Sequence, residues 1–393
     1  MWVVIMGRII LSNARIITPF EEIYPGTVEV ENGIIKKVYY GKRCGGENLE
    51  GKILTPGFID IHTHGIRGHD ITQSSLGGSV EKVVETLVEM SKAYAVHGVT
   101  RFLPTTMTAP HEALLIATKG VAETMDYQRD RIEGALIEGL HMEGPYISRE
   151  KAGAQNPKYI RSPSISELKE YWETSRGKLR TITLAPEVKG ALELIEYARS
   201  LGINVSIGHT NATYEEAKAA IYVGANRATH LYNGMRQIHH REPGVVVALL
   251  ESPQVYLELI CDFIHVSPVM IKFTIRYAGI ERIVTVTDSI IATDLPDGTY
   301  SLGGLEIIVE EGVSRLRNGA LAGSTLTMDK ALRNLVKLGI PLKDAVRTLT
   351  YNPASAVGIR DAGAIIPGYT ADLVVLNNNL RVESVYVRGE NIL

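Results

Sequence analysis

The sequence predicts an α/β fold: a (β/α)8 TIM-like barrel accompanied by a small β-sandwich domain built from both chain ends. Three observations carry that prediction. Strand-like apolar runs alternate with amphipathic, helix-like stretches through the middle of the chain, the sign of parallel strands joined by helical crossovers. Eight such runs fall within about 300 residues, which suits a closed barrel. Short strands punctuated by turn residues flank them on both sides, and no internal repeat or low-complexity segment interrupts the alternation.

Taken in order, the opening Met1–Arg8 is apolar but too short for a signal sequence and is interrupted by Arg8, so it reads as a strand start. Ile9–Ile17, Gly26–Glu31 and Ile34–Tyr40 read as antiparallel strands, with Glu31-Asn32-Gly33 offering a hairpin turn. Ala371–Leu376 and Val385–Ile392 look alike, so residues 1–55 and 361–393 are expected to form one small β domain and residues 56–360 the barrel. Barrel strands are predicted at Phe58–His64, Gly98–Thr105, Ala135–Glu143, Thr181–Glu187, Asn204–His209, Arg227–Asn233, Val255–His265 and Arg282–Asp288. Helices fall in the gaps at Val80–Val96, Glu187–Leu201, Tyr214–Val223 and Pro268–Gly279, and beyond the eighth strand at Thr327–Leu338 and Leu342–Thr348.

Composition narrows the function classes. A chain of 393 residues with 45% hydrophobic content and a net charge of -3 buries a large core and gives no reason to expect a nucleic-acid partner. Cys44 and Cys261 lie far apart and match no metal or redox spacing, so free thiols in a reducing compartment are expected. No segment approaches the roughly 18 uncharged apolar residues of a membrane span. The expectation is a cytoplasmic protein with no membrane partner.

The chemistry-bearing residues sit at predicted strand ends. Glu143 ends an apolar run just before Gly144-Pro145, where a carboxylate is several kcal/mol unfavourable to desolvate unless a cation or donor meets it. His209 and His230 end two later runs. One carboxylate and two imidazoles make the ligand set of a catalytic metal that keeps a position open for water. His62 and His64, two apart on a strand, project from one face and suit the same duty. Asp288, ending the eighth strand beside such a centre, is the natural general base. Arg241 lies in a donor-rich loop suited to an anionic group, though a solvated basic loop reads equally well, and His265 is similarly ambiguous. His69, His97 and His111 share no strand end with the others and are assigned to structure or surface.

These residues together resemble the amidohydrolase superfamily and, within it, the N-acetylglucosamine-6-phosphate deacetylase family. Pro56-Gly-Phe-Ile-Asp-Ile-His-Thr-His-Gly65 and Gly368-Tyr-Thr-Ala-Asp-Leu-Val374 are superfamily-wide; Gly139-Leu-His-Met-Glu-Gly-Pro145, Thr229-His-Leu-Tyr-Asn-Gly-Met235 and Ala322-Gly-Ser-Thr-Leu-Thr-Met328 are more specific. The resemblance implies metal-dependent removal of acetate from N-acetylglucosamine 6-phosphate, giving glucosamine 6-phosphate in amino-sugar metabolism. It implies Glu143, His209 and His230 as metal ligands and Asp288 as acid/base, with Asn233, the Gly234 backbone, Arg241 and His265 holding the sugar phosphate. Zinc is the first expectation for the metal, with iron, manganese or cobalt as alternatives, and a homodimer is what the family suggests.

Three departures matter. His62 and His64 are both present, whereas some family members lack the pair and hold one ion, so the count is one or two. Gln155 stands where some members place a histidine near the acetyl carbonyl. Cys261-Asp-Phe-Ile-His265 replaces the family's more usual Asp-Gly before the histidine, so Phe263 is expected to reshape the sugar pocket. The fourth predicted strand offers no lysine of the kind that bridges two metals elsewhere in the superfamily. The rival readings are an N-acetylgalactosamine-6-phosphate deacetylase, an N-acyl-amino-acid hydrolase, or a non-catalytic sugar-phosphate sensor, the last of which would be expected to have lost ligands or base.

Overall fold

The computed structural model describes residues 7–393, so the predicted strand start at Met1–Met6 lies outside the described residues. Eight parallel strands make the barrel wall: Phe58–Thr63, Val99–Thr106, Leu140–Glu143, Leu179–Leu184, Asn204–Ile207, Arg227–Ala228, Tyr256–Ile260 and Ile283–Val286. Each pairs with its successor in that order. The eighth closes on the first without a regular ladder. Instead the Asp288 N–H donates to the His62 carbonyl at 2.9 Å, the His64 N–H to the Ser289 carbonyl at 2.8 Å, and the Thr287 hydroxyl to Asp60 Oδ2 at 2.5 Å.

Helices pack outside, and their ends follow local chemistry. Val80–Ala95 starts on Ser79, whose side chain accepts from the Lys82 N–H. Tyr214–Tyr222 starts on a capping box between Thr213 and Glu216. Pro268 opens Pro268–Ala278 in the first turn, where its missing N–H removes no helical bond. The helix expected from Glu187 begins only at Ala191, because Gly190 before it holds φ +90°.

The strands are shorter than predicted where it matters most. The run expected over Ala135–Glu143 is split into Leu136–Ile137 and Leu140–Glu143 by Gly139 at φ +128°. The runs expected to end at His209, Asn233, His265 and Asp288 stop two to five residues earlier, at Ile207, Ala228, Ile260 and Val286. His209, His230 and Asp288 themselves take positive φ, 47°, 29° and 51°. Such a backbone cannot continue a strand, so each chain turns sharply at the barrel mouth.

Strands from both ends form one eight-stranded sheet, joined where Ile53–Pro56 runs antiparallel to Leu373–Leu376. Leu11, Ile16, Val28, Leu54 and Leu373 are among the buried residues of its own core. The buried Arg101 ties this sheet to the barrel, donating to Asp372 at 2.6 Å and to Glu138 at 2.7 Å. A third sheet was not foreseen from the sequence. Gly298–Leu302, Leu305–Glu310 and Val313–Leu316 fold antiparallel between the eighth strand and the helix Met328–Lys337. Its apolar side packs Leu302, Ile307 and Val309 on Met107, Ile290 and Ala322 at the barrel mouth. Among the described residues no helix is long and apolar enough to cross a membrane.

Candidate metal centre and active site

A cavity of about 270 Å³ opens at the C-terminal ends of the barrel strands. Its walls include His64, Glu143, Gln155, His209, His230, Asn233, Gly234, His265 and Asp288, so nine of the predicted site residues meet in one place. His62 lies against them from below, its ring centroid 5.3 Å from that of His64.

Two buried donor groups meet there, Glu143 with His209 and His230, and His62 with His64 and Asp288; within each, candidate ligand atoms lie within 4.8 Å of one another. In the first, the Nε2 atoms of His209 and His230 stand 3.1 and 2.9 Å from Glu143 Oε1. In the second, His64 Nε2 is 3.1 Å from Asp288 Oδ1, and His62 Nε2 is 3.5 Å from the same oxygen. Glu143 Oε2, 3.3 Å from His64 Nε2, links the two groups.

The protons show that these residues fit a cation. His209 Nδ1 faces the Lys151 carbonyl at 2.8 Å, His64 Nδ1 the Thr105 carbonyl at 2.9 Å, and His62 Nδ1 the Glu258 carboxylate at 3.0 Å. These oxygens only accept, so each Nδ1 carries a proton and each neutral ring points an Nε2 lone pair at the carboxylates. Lone pairs facing anions repel. The arrangement is favourable only if those rings are protonated or a cation lies among them, and a carboxylate or carbonyl behind the distal nitrogen is the usual support of a metal-ligating histidine. The His62 Nε2 has no hydrogen-bond partner of its own.

Electrostatics say the same. Burial pulls His64 down, but the hydrogen bonds it donates to Asp288 and Glu143 outweigh it and push the ring up to about 10. Burial likewise opposes the charge on His62, yet Glu143, Glu258 and Asp288 hold it well above the usual imidazole range. Glu143 shows the reverse: burial favours its neutral form, while His62 and His209 hold it well below the carboxylate range. Asp288 is held low against burial by its hydrogen bond to His64 and the charges of His62 and His64. The carboxylates stay ionised and the site demands positive charge.

The remaining predicted residues fall in different places. Gln155 spans the cavity wall, donating to Glu143 Oε2 at 2.6 Å while its carbonyl accepts from the Thr108 N–H at 2.7 Å. His265 lines the cavity with Nδ1 fixed by Asp262 at 2.6 Å. Asn233 and Gly234 line it beside His209. Arg241 is exposed, with Nη1 2.7 Å from His240 Nε2, and is not among the lining residues. Phe263 is half-buried against the core and does not line the cavity either. No lysine or arginine occurs among the described lining residues.

His97 bridges Asp329 and Asp294, and His111 bonds Tyr171 and Glu170, as expected of structural residues. Leu302 and Leu321 reach the cavity from the unforeseen sheet and the segment after it. Their signal was present, since Leu302-Gly-Gly-Leu305 is a two-residue hairpin turn. Glu258 was also missed, although a carboxylate inside Tyr256-Leu-Glu-Leu-Ile260 is the same kind of sign that singles out Glu143.

Comparison with known proteins agrees with this geometry. The model of the Amidohydrolase family matches residues 53–392. The chain is 37% identical over 364 residues to an N-acetylglucosamine-6-phosphate deacetylase of Vibrio furnissii, covering 91% of this chain and 88% of that one. An N-acetylgalactosamine-6-phosphate deacetylase of Escherichia coli O157:H7 is also 37% identical, over 87% of this chain and 88% of that one. Among solved structures, a mutant N-acetyl-D-glucosamine-6-phosphate deacetylase of Mycobacterium smegmatis, in complex with N-acetyl-D-glucosamine-6-phosphate, superposes with a TM-score of 0.91 at 34% identity, covering 98% of this chain and 100% of that one. The corresponding enzyme of Thermotoga maritima gives 0.87 at 36% identity, covering 98% and 99%. On the fold, the convergent donor groups and these matches, the chain belongs to the amidohydrolase family.

Proposed function

We propose that the protein is a hydrolase that deacetylates N-acetylglucosamine 6-phosphate to glucosamine 6-phosphate and acetate, in amino-sugar metabolism. The observation that carries the reading is the placement of Asp288: an ionised, buried carboxylate facing the same cavity as Glu143, His209 and His230. Glu143, His209 and His230 would hold a divalent cation, and His62, His64 and Asp288 fit a second. His and carboxylate donors suit zinc, with iron, manganese and cobalt as alternatives. A bound divalent cation supplies Lewis acidity, acidifying water and polarising the amide carbonyl.

The chain's own residues do the rest. Asp288 accepts a proton from the water that attacks the acetamide carbon, so a C–O bond forms as the proton leaves. The Gln155 amide, held on both sides by Glu143 and the Thr108 N–H, presents a fixed dipole beside the carbonyl. Asp288 then returns the proton to the sugar nitrogen as the C–N bond breaks, and acetate and the free amine depart. Asn233, the Gly234 backbone and His265 would hold the sugar. In this reading residues 56–360 are the hydrolase barrel and residues 1–55 with 361–393 its accompanying β domain.

The substrate's phosphate needs cationic partners that the described cavity lining lacks. Arg241, exposed on the loop after the sixth strand, would supply one if the protein is a homodimer, its guanidinium meeting phosphate with charge-assisted bonds. Two free thiols, Cys44 and Cys261, agree with a cytoplasmic protein.

The test is acetate release from N-acetylglucosamine 6-phosphate, N-acetylgalactosamine 6-phosphate and unphosphorylated N-acetylglucosamine, with protein stripped of metal and then reloaded. Strong metal-dependent release from the phosphorylated gluco sugar supports the reading. Preference for the galacto sugar moves it to that epimer, for which the Escherichia coli relative, also 37% identical to this chain, is named. Release from none of them, with metal bound, overturns it.

A further inference from the structure

Beneath the centre lies a buried ion pair that belongs to neither donor group and takes no part in the reaction above. Arg227, on the sixth barrel strand, and Glu258, on the seventh, are both fully buried and joined through Nη2 and Oε1. Barrels ordinarily fill this interior with branched apolar side chains. Taking two charges out of water loses hydration that a single contact does not restore. Packing alone does not explain the pair.

Its other contacts do. Glu258 Oε2 accepts from His62 Nδ1 at 3.0 Å and from the backbone N–H of His230 at 3.2 Å, so one oxygen touches a member of each donor group. Arg227 Nη1 donates to Thr181 Oγ1 at 2.6 Å, which fixes the guanidinium against the fourth strand. On the other side His141 stands nearly edge-on to the His62 ring, centroids 4.7 Å apart. Its Nδ1 faces the Ile61 carbonyl at 3.2 Å and its Nε2 accepts from Thr183 Oγ1 at 2.8 Å, so it is itself locked. The His62 ring is thereby held in one orientation by a carboxylate whose own charge is balanced from behind.

Building on the two-cation reading of the site, we infer that Glu258, neutralised by Arg227, is a positioning residue that keeps the His62 proton on Nδ1 and turns its Nε2 towards the centre, and so decides whether the His62–His64–Asp288 group holds a cation. His62 is the ligand most exposed to the loss, because Glu258 is the partner of its distal nitrogen. His209 and His64 rest on backbone carbonyls that no substitution removes.

Two variants test this. Glu258→Gln keeps the volume but sets an amide N–H against either Arg227 or His62 Nδ1. Arg227→Met with Glu258→Leu replaces the pair by apolar groups, an exchange that is often neutral or stabilising for a buried ion pair. Wild type and both variants are stripped, reloaded with zinc, and compared for ions per chain by elemental analysis, for affinity by chelator competition, and for melting temperature. The expected result is two ions in wild type. In both variants one ion should be lost or bound about 10- to 100-fold more weakly, with each variant still unfolding in one cooperative melt and kcat falling more than KM changes. Two ions of unchanged affinity in the variants would overturn the inference while leaving the two-cation reading standing. A single ion in wild type would overturn that reading, and the inference with it.

Discussion

The Nε2 atoms of His209 and His230 lie 3.2 Å apart. Both also meet the same oxygen of Glu143. Glu143→Gln removes the negative charge that makes this group attractive to a divalent cation. Loss of the cation held there is expected, with turnover down at least about 1,000-fold, since several kcal/mol of transition-state stabilisation go with it. Metal content by elemental analysis, read beside acetate release, checks both parts.

Asp288→Asn keeps the size of the side chain and removes its ability to take a proton. Turnover should fall by about 10²- to 10⁴-fold, while the cation at Glu143, His209 and His230 stays bound and the substrate KM changes little. A rate near that of wild type in steady-state assays would remove Asp288 from the proton-transfer role.

Gly234 holds φ +60°, and a Cβ added to it would stand 3.1 Å from His209 Nδ1. That nitrogen donates to the Lys151 carbonyl, so the new methyl presses on the bond that orients a ligand. Gly234→Ala is expected to lower stability by about 1–2 kcal/mol through the backbone and to weaken cation binding by about 10-fold or more. Denaturant melts and chelator competition separate the two effects.

His97, at the end of the helix Val80–Ala95, bridges Asp329 at 3.1 Å and Asp294 at 3.0 Å; Arg333 and Arg67 approach those same carboxylates. Burial works against its charge, but Asp329 and then Asp294 raise it above the usual 6.5. Asp329 is lowered in turn, burial being outweighed by its bonds to His97 and Thr327. A histidine raised in the folded state stabilises fully below its unfolded value and loses that contribution as pH climbs through the folded one. An aspartate lowered in the folded state stabilises above its unfolded value and loses it as pH falls. The cluster therefore contributes most between about pH 4 and 6.5. His97→Gln should destabilise by about 2 kcal/mol in that window, with the gap to wild type narrowing as pH rises above it. Thermal melts across pH 4 to 9 measure this.

Much of the architecture was legible in the chain because the signals are local. An apolar run flanked by turn residues is a strand wherever it sits, and Ser79, Thr213 and Pro268 mark helix starts through bonds made within one turn. The hairpin around Gly303-Gly304 carried the same kind of signal, and it lay between expected elements rather than within one. The candidate ligands were legible too, since a carboxylate or imidazole ending an apolar run is unfavourable unless something meets it.

Read along the chain alone, the alternation of strands and helices and the meeting of the two chain ends are visible, and so are Glu143, His209, His230, His62, His64 and Asp288 as candidates for a metal and acid/base site. The tertiary structure alone decided how they are grouped. Strand positions say nothing about whether two rings lie 3 Å or 10 Å apart, because that distance follows from barrel closure and from the positive φ values at His209, His230 and Asp288. It alone left Arg241 exposed and outside the cavity wall, and brought Leu302 and Leu321 into it, since loops far apart in sequence meet only when the barrel mouth is formed. And it alone joined Arg227 to Glu258 and Glu258 to His62, residues separated by 31 and 196 positions, in an interior where an unpaired charge is strongly unfavourable.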